Sequence, residues 1–62
     1  MVRREYYTGE SDQGFSEATQ EALKQATGTP ISFRVLGQHG EISPNPGKIS
    51  KFRVTVEVKF ED

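Results

Sequence analysis

The chain of 62 residues contains no cysteine and no tryptophan, only one histidine, and no long apolar run. Without thiols, disulfides are excluded, and His39 alone cannot assemble a metal clip. No stretch approaches the ~20 apolar residues needed to span a bilayer. Met1, Val2, Arg3 and Arg4 are not followed by the apolar core of a signal peptide, so the expected location is cytoplasmic. A net charge of −1 with interspersed signs leaves no basic field for a nucleic-acid backbone. Only 32% of residues are apolar, which limits the core to one small domain, expected to cover residues 1–62. With staples of covalent and metallic kind removed, self-association is the expected additional source of stability.

What is present is concentrated in Ile49–Glu61. Phe52, Val54, Val56, Val58 and Phe60 alternate with Lys51, Arg53, Thr55, Glu57, Lys59 and Glu61. Successive strand side chains point to opposite faces, so this run predicts a long strand with one buried and one wet face. Val2–Thr8 predicts a first strand, with Val2, Arg4 and Tyr6 on one face and Arg3, Glu5 and Tyr7 on the other. Only one of the two tyrosines can then belong to the core. Gly9–Gly14 carries turn chemistry, and either Ser11 or Ser16 can cap the helix that follows. Phe15, Ala18, Thr19, Ala22, Leu23 and Ala26 form one helical stripe, ending near Thr27 before Gly28 and Pro30.

Ile31–Leu36 predicts a second strand, with Ile31, Phe33 and Val35 facing opposite to Ser32, Arg34 and Leu36. Gly37–Gly47 reads as a connection that can begin as continued strand through Ile42. Its Ser43–Gly47 tip, with two prolines, cannot join a central ladder. The expected fold is α+β: a β-α-β-β order with an antiparallel three-stranded sheet packed on one helix.

No catalytic constellation emerges. His39 has no serine, cysteine or aspartate at an informative spacing, and reads as a solvated loop residue. Glu41, Glu57 and Glu61 are oxygen donors for a hard cation only if symmetry copies bring them together; otherwise they are wet-face charges. Arg34 and Arg53 on the wet faces of two strands read as surface arginines, able also to bind phosphate or stack on a ring. Gly37–Gly40 is not followed by a helix N-terminus and is no phosphate loop. The chain reads as a binding or interaction protein and not an enzyme.

Thr8–Phe15 leading into an alanine-spaced helix, Gly40–Ile42, and Gly47–Glu61 together resemble the dodecins over nearly the whole chain. The resemblance implies a β-α-β-β subunit whose sheet wraps its helix, assembling into a homododecameric cage. It also implies non-catalytic binding and storage of a small-molecule ligand, a flavin such as riboflavin, FMN or FAD, at subunit interfaces. Carried onto this chain, the place of the ring-stacking tryptophan in the second strand falls on Ser32. The glutamine that contacts the ring falls on Arg53, and an acidic residue further along the second strand falls on Gly37. Phe33 and Arg34, which follow Ser32, are further candidates for the flavin site, Phe33 as an alternative aromatic face and Arg34 as a stacking or phosphate-binding group. Two other classes share the fold: a structural or protein-interaction module without flavin, and a protease inhibitor presenting Gly37–Gly47.

Overall fold

A computed structural model describes residues 1–44 and 47–61. The elements run β1 (Val2–Ser11), α1 (Phe15–Leu23), β2 (Pro30–Ile42) and β3 (Ile49–Glu61). The sheet order is β1-β3-β2, both pairings antiparallel, so β3 is hydrogen-bonded on each side. This is the β-α-β-β, sheet-on-helix architecture read from the sequence. The expectation for the loop tip, as far as it concerns Asn45 and Pro46, lies outside the described residues.

The alternation of β3 sets the core. Val54, Val56, Val58 and Phe60 are buried, and Ala18 and Ala22 of α1 lie on them. Phe15, Leu23, Ala26, Tyr7 and Phe52 pack around that centre, with Phe15 and Phe52 edge-to-face at 4.9 Å. Of the two tyrosines, Tyr7 is the core-facing one and Tyr6 is exposed. The Arg3 guanidinium sits 4.3 Å from the ring centroid of Phe60, covering one end of the core with a cation–π contact.

Three boundaries differ from the sequence expectations. First, β1 continues through Gly9, Glu10 and Ser11, which pair with Val54, Arg53 and Phe52. Gly9 suits a strand here because α1 crosses it closely: a Cβ on Gly9 would collide with the Ala18 carbonyl and the Ala22 backbone nitrogen. Second, α1 ends at Leu23, short of Thr27; the chain tightens through bonds from Gln25 N to Ala22 O and Ala26 N to Leu23 O. Gly28 then adopts a φ of 103°, the left-handed turn that ends the segment. Third, neither serine caps α1. Gly14 holds the N-cap place with no side-chain bond, while Ser11 Oγ accepts from Gln13 N within the turn.

The longer of the two alternatives for β2 is the one adopted. Gly37, Gln38, His39 and Gly40 all pair with β3, so His39 is a strand residue and not a loop residue. Irregularities leave Ile31 and Leu36 as extra residues in β2. Each extra residue resets the alternation, so Phe33 and Val35 oppose Val58 and Val56 while Gly37 opposes Thr55.

The nine-residue helix spans about 14 Å, whereas a thirteen-residue strand runs about 43 Å. It packs on β1 and β3 and leaves β2 uncovered. Every residue of β2 is exposed, including Phe33 at 50%, although its pairing turns it toward the helix side. The extents are 49 × 16 × 11 Å, and the radius of gyration is 13.4 Å against about 10.6 Å for a compact chain of this length.

Candidate functional site

Alternation and register together place the polar side chains in rows across the outer face of the sheet. From the chain ends inward, Arg4–Lys59–Ser32 is followed by Tyr6–Glu57–Arg34, Thr8–Thr55–Gly37 and Glu10–Arg53–His39. The first two rows gather around Glu57, whose side chain is only 16% exposed. Arg34 Nη2 is 3.4 Å and Arg4 Nε 3.9 Å from the same carboxylate oxygen. The Tyr6 hydroxyl donates to the other oxygen at 3.2 Å. Lys59 lies directly opposite Arg4, and among the described residues it has no ion-pair partner. Arg4, Ser32, Phe33, Arg34, Glu57 and Lys59 enclose a concavity of about 240 Å³.

Past the Thr8–Thr55 hydroxyl pair, at 3.1 Å, the second charged cluster is internally balanced. Arg53 Nε donates to Glu10 at 2.8 Å and its Nη2 to Glu41 at 3.4 Å, linking both edge strands through the central one. Lys51 approaches Glu10 at 3.5 Å. The hydrogen bond from Arg53 and the nearby Lys51 charge hold the Glu10 carboxyl below its ordinary pKa of 4.5.

On the opposite side of the sheet, Leu23 at the helix end, Ala26 just past it, and Pro30, Ile31, Ser32 and Phe33 of β2 border an apolar groove with Val58, of about 270 Å³. It is the unfinished flank of the core, where β2 extends beyond the reach of α1.

The sequence-derived site residues divide into two groups. Ser32, Phe33 and Arg34 are adjacent: Ser32 and Arg34 face outward beside Glu57, and Phe33 borders both concavities. Gly37 lies midway, opposite Thr55, where its missing side chain leaves open space. Arg53 belongs to the other charged cluster. Since Ser32 opposes Lys59, Arg53 is six residues away along β3, about 20 Å. Within one chain the five residues therefore do not line a single pocket.

The three carboxylates weighed as cation donors each have a cation in the same chain: Glu41 has Arg53, Glu57 has Arg4 and Arg34, and Glu61 has the Met1 amino group at 3.7 Å. His39 extends from the exposed strand opposite Arg53. Sequence reasoning did not bring Arg4, Tyr6 and Lys59 to this site. Their shared strand faces were legible, but the β1–β3 register that sets them beside Glu57 was not. Among the described residues no helix is long and apolar enough to cross a membrane.

In comparison with known proteins, the family model described as Dodecin matches residues 6–62. No curated protein and no solved structure matches the chain.

Proposed function

This chain belongs to the dodecin family, and on that premise we propose that it is a homo-oligomeric, non-catalytic small-ligand binding and storage protein. The assembly is a dodecamer in the cytoplasm, and the ligand class that goes with the family is flavin. The single observation that carries the reading is the uncovered flank of β2. Ile31, Phe33 and Val35 are 54%, 50% and 38% exposed, on a strand whose central neighbour buries Val54, Val56, Val58 and Phe60. The subunit's elongation has the same cause, a sheet that outruns α1. Another copy laid along β2 would supply the missing layer, at about 25 cal/mol per Å² of apolar area covered.

In this proposal, Ser32, Phe33, Arg34, Gly37 and Arg53 contribute to the ligand site, with Arg53 reaching a ligand whose other contacts come from a neighbouring copy. The 20 Å separation within one chain demands that division of labour. A second reading, a structural or protein-interaction module of the same fold without flavin, is favoured by one feature. Ser32 offers no ring for stacking, and the nearest outward-facing aromatic side chain is Tyr6, which is engaged with Glu57.

Light-scattering mass on a sizing column, with visible absorbance and added riboflavin, tests both. A mass near twelve chains with co-eluting yellow absorbance supports the first reading. The same mass without colour supports the second, and a monomer overturns the assembly.

A further inference from the structure

We propose that the concavity around Glu57 is an anion site, built to take a phosphate or pyrophosphate group from the outer face of the sheet. The inference rests on the ligand-binding reading for its setting, and it assigns the chemistry of the ligand that reading leaves open.

The charges around Glu57 are locally unbalanced. Arg4 and Arg34 both approach the Glu57 carboxylate, and Lys59 lines the same concavity without an ion pair of its own among the described residues, so three cations share the site with one anion. Arg4 and Lys59 are direct cross-strand partners, a placement that is unfavourable for like charges on a sheet. The other charged cluster of the same face shows what a self-sufficient arrangement looks like: Arg53 and Lys51 are matched by Glu10 and Glu41. At Glu57 that matching fails, and a site of about 240 Å³ remains among the unmatched cations. This volume accommodates a phosphate or pyrophosphate group.

The donor set fits oxyanions specifically. Two guanidinium groups offer paired N–H donors in a planar fork, and the Lys59 ammonium adds a mobile point charge. The Ser32 hydroxyl, next to Lys59 across the strand pair, adds a neutral donor. Glu57 holds Arg4 and Arg34 in place while the site is unfilled, and competes with an incoming anion for both. The residue that leaves the family's stacking position without a ring therefore stands at the border of a cationic concavity.

The test is titration calorimetry of the assembled protein with inorganic pyrophosphate at low ionic strength. We expect one pyrophosphate per chain, with affinity falling steeply as salt is added. Lys59→Gln and Arg34→Gln should each weaken binding about tenfold, the loss of one charge-assisted contact. Glu57→Gln should tighten it several-fold by removing the competitor. Glu21→Gln, which changes the net charge equally but on the solvent side of α1, should leave affinity unchanged.

Absence of binding heat, or an equal effect from Glu21→Gln and Glu57→Gln, overturns the site. Riboflavin and riboflavin 5′-phosphate, followed by fluorescence quenching, separate this outcome from that of the flavin reading. Pyrophosphate bound and riboflavin ignored supports the anion site and overturns flavin storage. Riboflavin bound without heat from pyrophosphate does the reverse. Where both anions bind, competition in favour of riboflavin 5′-phosphate assigns the group to an ester, and equal competition assigns it to the free anion; either supports the site.

Discussion

Gly9 of β1 lies against Ala22 of α1 so closely that a Cβ on Gly9 would come within 2.9 Å of the Ala22 Cα. The contact is backbone to backbone: the atoms nearest a Cβ at Gly9 are the Ala18 carbonyl oxygen and the Ala22 nitrogen and Cα. The helix can therefore settle low enough for Ala18 and Ala22 to touch the valines of β3.

Gly9→Ala should be among the most damaging single changes, because the atoms it meets are main chain and cannot rotate aside. Overpacking a core typically costs 1–3 kcal/mol, and here the cost should be about 3 kcal/mol or more. Urea denaturation of the two proteins measures it. Equal midpoints would mean that α1 does not rest on β1 in the way described.

Phe33→Asp places a charge on the exposed flank of β2 without entering the subunit's own core. The expected result is an intact fold, seen by circular dichroism, with the mass in solution reduced to a single chain. A variant that keeps the parent mass would show that assembly uses another surface.

Acidification should weaken the clamp around Arg53. The Glu10 pKa is lower in the fold than in the unfolded chain, so its contribution is fully present above 4.5 and is lost as pH falls through the folded value. Glu10→Gln should accordingly lower the melting temperature at pH 7 and lose that difference progressively below about pH 4.5. A gap between the two melting curves that is constant with pH would remove the ion pair as its cause.

Ser32→Trp restores a ring at the position implied by the family resemblance. If Ser32 lines the ligand site of the assembly, stacking should raise riboflavin affinity by about tenfold, since aromatic pairs contribute about 0.5–1.5 kcal/mol beyond simple burial. Fluorescence quenching by the two proteins measures the ratio. An unchanged affinity would place Ser32 outside the site.

Much of the fold was legible in local pattern. The five alternating apolar residues of Phe52–Phe60 admit only a strand with one dry face, and the alanine-spaced stripe of α1 admits only a helix that lies on it. The errors fell where a tertiary contact outweighs local preference. Gly9, Glu10 and Ser11 have turn composition, yet the β3 ladder extends β1 through them and the helix needs the glycine. His39, between two glycines, is held in a strand by the hairpin that continues past it.

The strand faces, the order β-α-β-β and the lack of any covalent staple follow from period, composition and chain direction alone. Which polar residues meet is set by long-range pairing, which no local pattern carries. Register, together with the extra residues Ile31 and Leu36 in β2, sets Arg4, Lys59, Arg34 and Ser32 around Glu57 and sends Arg53 to a separate cluster. Tertiary structure also decided that β2 stays uncovered. A nine-residue helix beside a thirteen-residue strand is too short to cover the whole sheet, and the close contact at Gly9 anchors it over β1 and β3.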